Sequence, residues 1–249
     1  MRFLHNTWYV AAIAPEVGAE KLFTRKLLNT SVLMYRKADG TAVALQDRCP
    51  HRFAPLSMGK KIGDEVQCPY HALRFNSDGQ CTHSPHGDGT VPARACVRSF
   101  PLVQRYGLLW IWMGDATRAD PAQIPRYDLL DNPLPTAVGY GYMHMAANYE
   151  LIVDNVMDLS HVDHVHGPLL NTAGKLSPQK PPVIEDDTSV LVRWEWQQHP
   201  PIGLLAPLLP DPTGPAEQFV QVQWTAPSNM FLTVCAVQGS RNYEKGMIS

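Results

Sequence analysis

The sequence predicts an α+β chain in two parts, and three patterns carry that prediction. The first 115 residues break into short strand-like runs separated by turn signals. Residues 149–159 hold the clearest helical spacing, with Leu151, Ile152, Asn155 and Leu159 one, three and four positions apart. From residue 189 onward, long segments alternate apolar and polar residues with a period near two.

In chain order, Val32–Arg36 and Ala42–Gln46 flank Ala38-Asp39-Gly40, where the glycine supplies the positive φ of a hairpin turn. Glu65–Cys68, Leu73–Asn76 and Gln80–Thr82 read as further strands, the last two joined through Ser77-Asp78-Gly79. Val97–Gln104 and Leu108–Met113 close this region as a hairpin around Tyr106-Gly107. Residues 116–135 are polar and proline-punctuated, which marks a boundary. Ala137–Met145 then alternates loosely as a strand, ahead of the helix. Ser189–Gln198, Glu217–Ala226 and Asn229–Gln238 are the long strands. Between the first two, residues 200–215 interleave six prolines with Ile202, Leu204, Leu205, Leu208 and Leu209. So many prolines forbid a helix, leaving a cover over the sheet or the lining of an apolar pocket.

A length of 249 residues suits one large domain or two ordinary ones, and 45% hydrophobic with 18% charged residues suits a globular chain with a real core. A net charge of −2 gives no reason to expect nucleic acid or an anionic membrane as partner. The apolar runs are shorter than a membrane span and Met1-Arg2-Phe3-Leu4-His5 starts no signal peptide, so a cytoplasmic location is expected. Five cysteines are an odd number for a disulfide framework, which fits a reducing compartment.

Cys49-Pro-His51 is followed, sixteen residues on, by Cys68-Pro-Tyr-His71. Two thiolates and two imidazoles could hold one tetrahedral zinc, or a two-iron cluster with cysteines on one iron and histidines on the other. The short Cys-x-His and Cys-x-x-His arms favour the cluster, because zinc sites more often pair Cys with Cys and His with His. Pro50, Pro55 and Pro69 stiffen both loops. The remaining Cys81, Cys96 and Cys235 read as ordinary thiols.

A second group runs Asp154-Asn-Val-Met-Asp158-Leu-Ser-His161-Val-Asp-His164-Val-His166. Three histidines behind two carboxylates point to a metal rather than to a solvated helix end. On an ideal helix His161 and His166 lie roughly 140° apart, so they share a metal only if the helix bulges or ends between them. His161 and His164 would converge on a regular helix. Spacing alone does not choose the pair.

Cys49-Pro-His-Arg52 with Cys68-Pro-Tyr-His71 resembles the ligand loops of Rieske [2Fe–2S] proteins. The high-potential respiratory members carry extra cysteines at the positions of Ala54 and Tyr70, so the likeness is to Rieske ferredoxins and oxygenases. Asp158-x-x-His161-x(4)-His166 resembles the mononuclear iron motif of the Rieske oxygenases, and residues 148–161 resemble the group typified by vanillate and dicamba O-demethylase. The likeness runs from Asn6-Thr-Trp8 through Arg105-Tyr-Gly-Leu-Leu-Trp-Ile-Trp112 to the last strands.

This resemblance implies a Rieske [2Fe–2S] domain over residues 1–115 with Cys49, His51, Cys68 and His71 as ligands. A linker over 116–135 and a helix-grip catalytic domain over 136–249 would follow, with His161 and His166 on a mononuclear Fe(II). Asp158 would bridge that iron to the neighbouring subunit's counterpart of His71, with Asn155 close by. Further implications are a head-to-tail homotrimer, a flavin- and ferredoxin-type reductase drawing on NAD(P)H, and monooxygenation of a small aromatic substrate with O2, such as O-demethylation of a methoxylated acid. Ring dihydroxylation, or a chain limited to electron transfer, are the alternatives. Family members continue with a helix that bears a carboxylate ligand. No Asp follows Asp211, which sits in the proline-rich segment, so a catalytic domain incomplete at its C-terminus is expected, with Glu217 and Glu244 as the only later carboxylates.

Overall fold

The computed structural model describes residues 3–248 apart from Asn171 and Ala173. The chain divides into two compact units. One comprises the residues up to Ile124 together with Gly139–Tyr142, the other Pro125–Val138 and Met143 onward. Residues 116–135 are therefore shared between the two units instead of forming a separate connector.

The first unit has eleven strands among its described residues: β1 (Trp8–Ile13), β2 (Phe23–Leu27), β3 (Thr30–Arg36), β4 (Ala42–Gln46), β5 (Lys60–Ile62), β6 (Glu65–Gln67), β7 (Arg74–Phe75), β8 (Cys81–His83), β9 (Ser99–Phe100), β10 (Leu102–Arg105) and β11 (Leu108–Trp112). They pair antiparallel in sheets of order β1-β11-β10, β2-β3-β4-β9 and β5-β6-β7-β8. The expected strand over 97–104 is split at Pro101. Proline has no N–H for a ladder, and its carbonyl instead accepts from the Trp112 backbone N at 2.9 Å.

β3 explains how the unit is layered. Val32, Leu33, Met34 and Tyr35 are all buried, and the period of two sends them to different cores. Val32 and Met34 join Ala11, Ala44, Phe100, Leu109 and Ile111. Leu33 and Tyr35 join Leu45, Leu56, Val66 and Phe75, the cluster that also contains Cys49 and Cys68. The cysteines are thus planted in a hydrophobic floor at the base of their loops.

In the second unit, β12 (Val183–Glu185), β13 (Ser189–His199), β14 (Ala216–Thr225), β15 (Asn229–Gln238) and β16 (Arg241–Ile248) form an antiparallel meander in sequence order. β16 was not expected, since Glu-Lys-Gly breaks the alternation; the register Val234↔Lys245 places it beside β15. No strand forms over Ala137–Met145. There the tyrosines act one by one, Tyr140 Oη donating to the Tyr106 carbonyl at 3.1 Å and Tyr142 lying 4.3 Å under the Arg25 guanidinium.

One face of the meander carries Val192, Trp194, Trp196, Val220, Val222 and Val234, and it packs on Leu159 and Val162 from the helical segment. Ile202, Leu205 and Leu209 of the proline-rich segment are buried in that same core, so the segment covers the sheet. Each such side chain contributes about 1.5–3 kcal/mol of burial, before the entropy of ordering the loop. Gln218 fixes the segment by accepting from Ile202 N at 2.8 Å and donating to the Pro200 carbonyl at 3.0 Å. No helix among the described residues is long and apolar enough to cross a membrane.

Candidate metal centres

The two loops that carry the Cys-His pairs share one backbone plan. Cys49 N donates to the Ala54 carbonyl at 2.9 Å, and Phe53 N returns a 2.9 Å bond to the Cys49 carbonyl. In the second loop Cys68 N donates to Leu73 O at 2.8 Å and Ala72 N to Cys68 O at 3.2 Å. Phe53 (φ 61°) and Ala72 (φ 58°) take the same left-handed conformation, unusual for residues with a side chain. The loops span β4 to β5 and β6 to β7, so paired strands set their separation.

Within this frame Cys49 and Cys68 are buried, while His51 is exposed and His71 half-buried. The two imidazole centroids lie 4.5 Å apart, nearly edge to face. Burial raises the Cys49 thiol well above its ordinary pKa and the adjacent Cys68 thiol adds to this, although the His51 and Arg52 backbone N–H groups act against it. Partial desolvation lowers the His71 pKa, helped by His51, His86 and Arg52. Its neutral form, the one that binds metal, is thereby favoured. His86 was not singled out by the sequence; its Nε2 lies 3.0 Å from the His71 carbonyl. Asp47 was also missed, a buried carboxylate that joins the two ends of the first loop through Ser57.

The second centre sits where the helix fails. α1 (Tyr149–Met157) starts on an Asn148 cap, whose side chain accepts from Glu150 N, and it ends at Asp158 (φ −104°, ψ 93°). A 3₁₀ turn over Leu159–His161 and the single turn of α2 (Val162–Val165) follow, and His166 lies just outside α2. This break brings the His161 and His166 ring centroids to 5.3 Å. His161 Nδ1 donates to the Asp158 carbonyl at 2.6 Å, which leaves Nε2 as the nitrogen available to a metal. His164 turns elsewhere, its Nε2 lying 3.1 Å from Ser177 Oγ.

Asp158 Oδ1 accepts from Ser160 N at 3.0 Å, and the Ser160 side chain and backbone hold the carboxyl below its usual pKa. Asn155 is exposed on α1, three residues before Asp158. Asp211 accepts from Thr213 and Gly214 in its own turn and Glu217 is exposed; the side chain of Glu244 lies outside the described residues. Among the described residues no three His, Cys, Asp or Glu side chains converge on one ion.

Residues 7–101 match the Rieske [2Fe-2S] domain, and residues 145–248 match the vanillate O-demethylase oxygenase C-terminal domain. The oxygenase component of dicamba O-demethylase from Stenotrophomonas maltophilia is 42% identical over 230 residues, covering 92% of this chain and 67% of that relative. The chain belongs to the Rieske non-haem iron oxygenases. The toluene-4-sulfonate monooxygenase iron-sulfur subunit TsaM1 of Comamonas testosteroni is likewise 42% identical, over 91% of this chain and 65% of its own length. A crystal structure of dicamba monooxygenase bound to 3,6-dichlorosalicylic acid superposes with a TM-score of 0.90 at 38% identity, over 99% of this chain and 73% of the other. The chain therefore spans about two thirds of the length of the curated relatives it matches.

The cofactors of such an oxygenase are a Rieske [2Fe–2S] cluster and a non-haem iron. The donor sets fit both groups. Two buried cysteines with two imidazoles, one exposed and one half-buried, suit a cluster held between two loops. Two histidines presented at a chain break suit an iron that keeps open positions.

Proposed function

We propose that Cys49, His51, Cys68 and His71 hold the cluster, that His161 and His166 hold the mononuclear iron, and that the chain is the oxygenase component of a two-component monooxygenase. The first unit, which contains residues 1–115, is then the electron-accepting domain, and the second, which holds most of residues 136–249, the catalytic one. A ferredoxin-type reductase would supply electrons from NAD(P)H, which places the work in the cytoplasm. The substrate class is a methoxylated aromatic acid, in keeping with the vanillate- and dicamba-demethylating relatives. The balanced reaction converts ArOCH3, O2, NAD(P)H and H+ into ArOH, formaldehyde, water and NAD(P)+. The oxidised methoxy carbon is a hemiacetal, which collapses to the phenol.

When bound, the cluster supplies single electrons and the iron activates dioxygen. The chain's own residues set the stage for both. The His161 Nδ1 bond to the Asp158 carbonyl fixes the tautomer and aims Nε2. Asp158 is exposed, and although Ser160 N engages Oδ1, its carboxylate would bridge to the His71 of another copy in a head-to-tail trimer, with Asn155 three residues earlier on α1. The single observation that carries the reading is the helix break that brings His161 and His166 together, in a chain whose earlier residues hold both Cys-His loops.

The test is an assay with a ferredoxin-type reductase and a methoxybenzoate, following formaldehyde and O2 together. Equimolar formaldehyde and O2, lost in His161→Ala, is the expected result. A cis-dihydrodiol without formaldehyde would reassign the reaction to ring hydroxylation, and an iron content limited to the cluster would refute the second centre.

A further inference from the structure

We infer that Asp163 is a positioning residue that sets the geometry of His161 and His166 by clamping α2 to Thr172, Leu176 and Ser177. The inference rests on the reading of those two histidines as iron ligands. Asp163 lies between them, yet both of its carboxylate oxygens are engaged elsewhere. Oδ1 accepts from Thr172 Oγ1 at 2.5 Å, and Oδ2 accepts from Leu176 N at 3.0 Å, Ser177 N at 2.7 Å and Ser177 Oγ at 2.6 Å. A carboxylate already accepting four hydrogen bonds is a poor candidate for a metal ligand. Ser177 Oγ extends the clamp, lying 3.2 Å from the Ser160 carbonyl and 3.1 Å from His164 Nε2. Thr172, Leu176 and Ser177 thus grip residues 160, 163 and 164, on both sides of His161.

α2 has four residues, too few to hold its own shape, because a single turn does not offset the cost of helix nucleation. Leu159 and Val162 anchor it to the core from below. The Asp163 clamp supplies the second point of attachment, and two are needed to stop the turn rotating about its apolar side. Among the described residues the one hydrogen bond on the His161 ring goes to Asp158, and none is found on the His166 ring, so ring placement follows backbone placement.

The test uses the full chain with its cluster oxidised and diamagnetic, and Co(II) as the probe of the mononuclear site. Equilibrium dialysis gives affinity and low-temperature EPR of high-spin Co(II) gives ligand geometry. His161→Ala is expected to abolish the signal; a signal that survives, or a wild type that binds no Co(II), refutes the two-histidine reading itself. Given its loss, Asp163→Asn is expected to bind Co(II) about 5–30-fold more weakly with an altered line shape, one or two hydrogen bonds' worth of clamp. Ser177→Ala should weaken binding about fivefold, one hydrogen bond's worth, and it decides the matter alone if Asp163→Asn does not fold. Wild-type affinity and line shape in the folded variants, even with a lower melting temperature, overturns the proposal and leaves the clamp merely structural.

Discussion

Asp47→Ala is expected to destabilise the first unit sharply, because that carboxylate closes the first cluster loop from outside. Asp47 is 8% exposed and lies two residues before Cys49. Oδ1 accepts from Ser57 N at 2.7 Å, and Oδ2 accepts from Ser57 Oγ at 2.6 Å and from Thr24 Oγ1 and Ser31 Oγ at 3.3 Å each. Hydrogen bonds to a charged acceptor are worth about 1.5–3 kcal/mol each when short, and the two longer ones less. Allowing for relaxation, the loss is about 3–5 kcal/mol. At about 3–4 °C per kcal/mol for a unit of this size, the melting temperature should fall by roughly 10–18 °C. Asp47→Asn keeps one acceptor and should lose about half as much. Calorimetry with visible absorbance of the cluster on the same sample reads both effects, since the loop that opens is the one carrying Cys49. A melting temperature within about 3 °C of wild type, with the cluster retained, would refute the reasoning.

Gly79→Ala should cost more than about 3 kcal/mol, since φ is +81° and a Cβ would meet the Val97 carbonyl oxygen at 2.0 Å; Gly18→Ala, with open space around it, should be near neutral in the same denaturant titration. Cys49→Ser should remove the visible cluster spectrum while circular dichroism of the second unit's sheet is retained. The Asp186 carboxyl accepts from Thr188 and Ser189 in the β12–β13 turn, and the Thr188 backbone N–H is the main cause that lowers its pKa from 3.8 to about 2. A depressed carboxyl stabilises above its unfolded pKa and loses that as pH falls through the folded value. The gap in melting temperature between wild type and Asp186→Asn should therefore be constant from pH 8 to 5 and shrink between about 4 and 2.

The two Cys-His loops stood out in the sequence because metal ligation needs fixed residue types at fixed offsets, and Cys49, His51, Cys68 and His71 are the residues proposed to supply them. The long strands β13 and β14 were legible because one face is more deeply buried than the other, so Trp194 and Trp196 alternate with Arg193 and Glu195. The pairing of His161 with His166 was not legible from spacing, because it depends on the helix stopping at Asp158, whose Oδ1 bond to Ser160 N competes with the next helical turn. Residues 137–145 misled for the opposite reason: alternation without a neighbouring strand to pair with makes no sheet. Asp47, His86 and Asp163 act through contacts nine or more residues away and leave no local pattern. Asp163 stood in plain view among the histidines, but its partners Thr172 and Ser177 carry no signature of their own.

The repeated loop plan has a consequence for engineering. Each loop is a six-residue circuit, 49–54 and 68–73, closed by two backbone bonds to its own cysteine, and the first is braced from outside by Asp47 through Ser57. Extra residues inserted beyond Ala54 or Leu73 should leave the sulfur where it is, whereas one inserted inside the circuit would open it. The histidine can stand at the second or third place after the cysteine without disturbing the circuit, as His51 and His71 do. Such a self-closed turn is transplantable: two copies grafted at neighbouring corners of an unrelated antiparallel sheet carry most of the information needed to cradle a cluster there.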